Sequence, residues 1–102
     1  MSNPTAKVFV VNKSSHDFSK ACKFGTLIFM SEGKLNKFKT NDMLRQFNEF
    51  LADSSRDDYI LPCSLSIANI MAASAFVARH GKLNLLLHKP STGEYIERNH
   101  LF

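Results

Sequence analysis

Ser64 and Ser66 stand where a short apolar run, Tyr59-Ile60-Leu61-Pro62-Cys63, gives way to a helical stretch of small residues. A strand-to-helix turn presents free backbone amides at the positive end of the helix, and two hydroxyls beside them suit a phosphate or another anion. Serine is also a favoured helix cap, worth about 1 kcal/mol, so Ser64 or Ser66 has a purely structural use as well. His16 adjoins Asp17. A carboxylate can orient or charge a neighbouring imidazole, which suits a general base or a phosphate contact. The alternative is that Asp17 caps a short helix and His16 is a surface loop residue. His88 ends another apolar run and offers the same chemistry, or only a satisfied, half-buried imidazole.

Several other chemistries lack support. Neither GxGxxG nor GxxxxGK[ST] occurs, which counts against dinucleotide oxidoreductases and P-loop enzymes. Four histidines without HxH or HExxH spacing, and two cysteines without CxxC spacing, argue against a metal, so neither metal nor cofactor is expected. Cys63 adjoins a helix start, but Pro62-Cys63-Ser64 is no nucleophile elbow. A thiol ending a buried strand behaves as a small hydrophobe. On this reading there is no catalytic residue; an enzyme would use His16 and His88.

The elements that must position these residues follow from hydrophobic periodicity. Lys7 to Asn12 and Thr26 to Met30 read as strands buried on both faces, and Asp17 to Phe24 as two helical turns, capped near Ser15 or His16 and stopped by Gly25. From a cap at Thr40 or Asn41, residues Met43, Leu44, Phe47, Phe50 and Leu51 form the apolar face of an amphipathic helix. Tyr59 to Cys63 is a third strand, with Pro62 where the chain leaves the sheet. Ser66 to Ala78 is apolar around nearly its whole circumference and is closed by Gly81. Such a helix needs cover on more than one side, which points to a second subunit. Leu83 to His88 is a fourth strand, and Glu94 to Glu97 returns antiparallel at the edge.

Strands alternating with helices predict a small Rossmann-like α/β sandwich over residues 1–102, with a mostly parallel sheet of four to five strands, two main helices and one short one. Ligands of such sheets sit beyond the carboxyl ends of the strands. The candidate ligand-binding residues there are Asn12, Ser15, His16, Ser31, Ser64, Ser66, His88 and Lys89. The opposite ends carry Lys7, Thr26, Asp58 and Lys82, which read as ordinary solvated strand starts.

Composition bounds the partners. Of 102 residues 44% are hydrophobic and 22% charged, values that exclude disorder, and nine Phe without any Trp point to a core or interface rich in plain rings. The net charge of +4 favours an anionic partner. Lys34, Lys37 and Lys39 supply much of it from one loop, either as a solvated segment or as a phosphate attractor. Met1 to Lys7 is too polar for a signal peptide, and no segment is long enough to span a membrane. A cytoplasmic protein with reduced thiols is expected.

The runs Val8-Phe9-Val10-Val11-Asn12, His16-Asp17-Phe18, Leu27-Ile28-Phe29-Met30-Ser31-Glu32-Gly33, Asp58-Tyr59-Ile60-Leu61 and Lys82-Leu83-Asn84-Leu85-Leu86 resemble small proteins of bacteriophages and mobile elements. That resemblance covers most of the chain and implies a phage-encoded protein, without an activity. In strand order and polar strand ends the chain is also similar to Rossmann-like sensor domains that bind cyclic oligonucleotides of bacterial defence systems as homodimers. Three expectations follow. The first is a non-enzymatic homo-oligomer binding a small anionic ligand, a nucleotide or cyclic oligonucleotide, and sequestering a host defence signal, with extended nucleic acid and membrane excluded as partners. The second is a small phosphodiesterase or nucleotide hydrolase. The third is a structural or interaction protein acting through oligomerisation.

Overall fold

Five strands form one sheet in the order β2-β1-β3-β4-β5 in the computed structural model, which describes residues 6–102. Most of the polar N-terminal stretch weighed as a signal peptide lies outside those residues. The strands are β1 (Lys7–Val10), β2 (Thr26–Phe29), β3 (Tyr59–Leu61), β4 (Lys82–Lys89) and β5 (Glu94–Leu101). Neighbours are parallel from β2 across to β4, and β5 runs antiparallel to β4. A 3₁₀ helix, Ser19–Phe24, joins β1 to β2. The helices α1 (Thr40–Leu51) and α2 (Ser66–His80) carry the chain to β3 and β4. The architecture is thus the mixed, mostly parallel α/β one that the alternation predicts.

Crossover handedness fixes which face each helix covers. The step from β1 to β2 goes one way along the sheet, while the steps to β3 and β4 go the other way, so α1 and α2 share one face and the 3₁₀ helix takes the opposite one. Two cores result. Phe9, Ile60 and Leu83 meet Met43 and Phe47 of α1 and Phe76 of α2 on the first face. On the second, Val8, Val10, Leu61 and Leu86 are covered by Ala21 with the rings of Phe18, Phe24, Phe29 and Tyr59. The plain rings replace the long helix that this face lacks.

Several expectations are corrected. The segment after β1 is 3₁₀ over Ser19–Phe24 rather than two α-turns from Asp17. Six residues rising about 2.0 Å each span about 12 Å, close to the length of a four-residue strand, whereas an α-helix would cover only about 9 Å. The helix caps are Phe18, Lys39 and Leu65, none with a side-chain capping bond, so Ser15, His16, Thr40, Asn41, Ser64 and Ser66 do not cap. Asp17 does support the turn, because its Oδ1 accepts the Ser19 amide at 2.9 Å. Cys22 is exposed, while Ala21 beside it is buried.

The first and third strands stop at Val10 and Leu61, and the backbone pairing runs on past them through Val11 N–H to Leu61 O at 3.1 Å. The edge strand β5 is twice the expected length because its register with β4 holds from Lys89↔Glu94 to Lys82↔Leu101. Ala68, Ala72 and Ala75 of α2 are buried in the molecule's own core, where α1 supplies the second side of cover. The alanines therefore need no second subunit, and Ile70, 55% exposed, is left on the outside.

Asp58 is no solvated strand start. It is 1% exposed, its Oδ1 accepts the Lys7 amide at 2.9 Å and its Oδ2 the Ser55 amide at 2.7 Å. Asn84, 2% exposed in β4, donates from Nδ2 to the carbonyls of Arg56 and Asp58, each at 2.9 Å. These bonds lock β1, β3 and β4 together at their amino ends and leave the carboxyl ends to loops.

Candidate functional site

β1 and β3 are adjacent strands whose connections depart in opposite directions, and that divergence opens a crevice at their carboxyl ends. A cavity of about 240 Å³ lies there. Asn12, Ser14, His16 and Phe18 line it from the segment after β1. Leu61, Pro62, Cys63 and Ser64 contribute from β3 and its turn, and His88 and Tyr95 from the β4–β5 hairpin.

Asn69, one turn into α2, shapes the Ser64 side. Its Oδ1 accepts the Cys63 amide and its Nδ2 donates to the Cys63 carbonyl, both at 2.8 Å. This two-point clamp fixes the backbone before α2 and leaves Ser64 exposed at the rim. The Cys63 thiol points to the Leu65 carbonyl at 3.7 Å, a structural contact that gives it no activating base.

Aromatic rings build the other wall. The His16 ring stands edge-on to His88 with centroids 4.5 Å apart, and to Phe18 at 5.0 Å. Its Nε2 lies 3.1 Å from the Tyr95 hydroxyl. Burial, with a smaller contribution from the Asp17 charge, pushes the Tyr95 phenol above its ordinary range and keeps its proton in place. The direction of the bond between this hydroxyl and His16 Nε2 follows the imidazole tautomer. The Asp17 carboxyl is held below its usual range chiefly by the Ser19 amide, which donates to its Oδ1, with a smaller contribution from His16.

The structure brings four candidates to the cavity: Asn12, His16, Ser64 and His88. Ser31 sits behind the wall, buried, with Oγ 2.6 Å from Val11 O and 2.8 Å from Asn12 Oδ1. It orients the Asn12 amide, whose Nδ2 donates to Gly33 O at 2.8 Å. Ser15, Ser66 and Lys89 are exposed and outside the lining. Tyr95, Phe18 and Asn69 were not singled out from the sequence. Asn69 leaves a faint signal there, an amide in a helix that is otherwise apolar around most of its turn.

The lining contains no carboxylate and no lysine or arginine. Its polar groups are the Asn12 amide, the Ser14 and Ser64 hydroxyls, the Tyr95 phenol and two imidazoles. Among the described residues no three His, Cys, Asp or Glu side chains are grouped to hold a metal ion. The two imidazoles touch, which leaves no space for a phosphoryl group directly between the rings.

A family model for the phage Pam3 gp32-like protein matches residues 6–100. The chain belongs to that family. The match spans the 3₁₀ helix, both α-helices and every crevice residue, so family membership covers the whole site. Neither the curated proteins nor the solved structures give a match. The likeness to cyclic-oligonucleotide sensor domains accordingly gains no support. Among the described residues no helix is long and apolar enough to cross a membrane.

Proposed function

We propose that this phage-family protein is a non-enzymatic binder of a nucleotide-like anion in the host cytoplasm, acting by sequestering a host signalling nucleotide. The observation that carries the reading is the composition of the crevice walls: ring-bearing side chains on one side, and the clamped Cys63-Ser64 turn that leads into α2 on the other. A planar base suits the His16, Phe18 and Tyr95 wall, and a phosphate suits the amides and hydroxyl opposite. The touching imidazoles favour holding a ligand over cleaving it.

Incubation with mono-, di- and cyclic nucleotides, filtration, and analysis of filtrate and heat-released ligand tests this directly. Recovery of an intact ligand from the protein is the expected result. Conversion to a new species would instead make His16 and His88 catalytic. Ser64→Glu places a negative charge at the turn and should abolish capture without unfolding; unchanged capture would remove the crevice from consideration.

A second reading, a component acting through oligomerisation, is favoured by the β5 edge. Its outer side is unpaired among the described residues, and Leu87 and Ile96 stand opposite each other, 40% and 44% exposed, on the face that carries α2. That reading expects a stable oligomer that Ile96→Lys disrupts and to which every nucleotide is indifferent, measured by light scattering.

A further inference from the structure

Phe38 is the most exposed large hydrophobic side chain among the described residues, at 82%. Its place is set by local bonding: Asn36 Oδ1 accepts the Phe38 amide at 3.0 Å, and Asn36 O accepts the Lys39 amide at 3.1 Å. The ring thus stands on a hydrogen-bonded turn. Lys37 Nζ lies 5.4 Å from the ring centroid, and Lys34 and Lys37 join Leu35, Asn36 and Phe38 in lining a concavity. No acidic residue occurs between Glu32 and Asp42. None of the three lysines enters an ion pair among the described residues. An uncompensated cluster of positive charge with an outward aromatic face is the combination that holds single-stranded nucleotides, with phosphates on the cations and a base on the ring.

The loop begins beside the crevice. It follows β2, whose carboxyl end lies at the same rim, and Asn12 of the crevice wall donates to the carbonyl of Gly33, the residue before Lys34. The β1 and β2 ends are knitted there by Lys13 N–H to Ser31 O at 2.7 Å and Gly33 N–H to Lys13 O at 3.2 Å. We infer that the ligand is a short oligonucleotide, with one nucleotide in the crevice and the next carried over Asn12 onto the Phe38 ring between the lysines. This rests on the crevice being a nucleotide site. One ring is too little apolar surface for membrane insertion, and an acidic peptide would use the charge but leave the stacking face empty.

Calorimetric titration with 5′-AMP and the linear oligonucleotides pApA and pApApA tests the assignment. Wild type should bind pApA about tenfold more tightly than AMP, as expected for one stacked base, with an affinity that falls as salt rises. Phe38→Ala should bring pApA to the AMP level and leave AMP binding unchanged; its exposed ring makes the substitution harmless to folding. Lys34→Ser combined with Lys37→Ser and Lys39→Ser should do the same and flatten the salt dependence. Equal wild-type affinity for AMP and pApA, or a length preference that survives Phe38→Ala, overturns the inference and leaves the crevice reading standing. If neither AMP nor the oligonucleotides bind, both fall. Full pApA affinity in Ser64→Glu would place the ligand on the loop alone, and a polyglutamate peptide competing as well as pApApA would make the loop an acidic-protein surface. Either result overturns the two-site assignment.

Discussion

Asp58 has both carboxylate oxygens committed to backbone amides, and Asn84 ties the Asp58 carbonyl to β4. Removing a buried carboxylate leaves the Lys7 amide without its partner, so Asp58→Ala should cost about 2–3 kcal/mol in urea unfolding. A loss below about 1 kcal/mol would show that water replaces the bonds. Asn69→Ala should behave differently. It releases the Cys63 amide and carbonyl, lowering stability by about 1–2 kcal/mol and weakening capture at the Ser64 turn at the same time. Asn12, His16, Ser64 and His88 were legible in the sequence because each follows an apolar strand. Asn69 and Tyr95 were not, since one acts by reaching back six residues to Cys63 and the other arrives through the His88↔Tyr95 register. Asp58 was misread for a related reason. An acid before a strand looks solvated until the amides that it receives are known.

The elements were more legible than their ends. Apolar runs and periodicity locate all five strands and both helices, but not the 3₁₀ character of Ser19–Phe24, which is set by the distance it must span. Two glycines near element ends separate conformation from space. Gly81 closes α2 with φ 65° and its N–H on Val77 O at 2.8 Å, and nothing crowds a Cβ there. Gly81→Ala should therefore cost only about 1 kcal/mol, the strain of a left-handed alanine. At Gly25 a Cβ would collide with the Ala6 carbonyl beside β1. Gly25→Ala must push the β1–β2 connection apart, and its midpoint in thermal unfolding should fall further than that of Gly81→Ala. Equal losses would show that the connection yields freely.

For the whole molecule, an acid response is expected from His80. His80 packs on Phe76, and its Nε2 donates to Ser54 Oγ at 2.7 Å, because the serine's own proton goes to Leu51 O at 2.6 Å. Burial holds this imidazole below its ordinary range, against an opposing pull from the Asp58 charge. The unfolded chain takes up the proton more readily than the folded one, so this contribution is complete above the ordinary imidazole value of about 6.5 and is lost as pH falls through it toward the lower folded value. The thermal midpoint should drop between about pH 7.5 and 5.5, and His80→Gln should show a smaller drop. An identical drop in the variant would assign the acid response to other groups.

The bond between Tyr95 and His16 has an optical consequence. The chain has no tryptophan and only two tyrosines, so phenol emission is not masked by indole. Tyr59 packs against Phe24 in the core of the second face, outside the crevice lining, and supplies a background. Tyr95 is the tyrosine that lines the crevice, with its hydroxyl on an imidazole of the same lining. Quenching of phenol fluorescence depends on such a neighbour, so a guest that disturbs the bond should change the emission of the unlabelled protein.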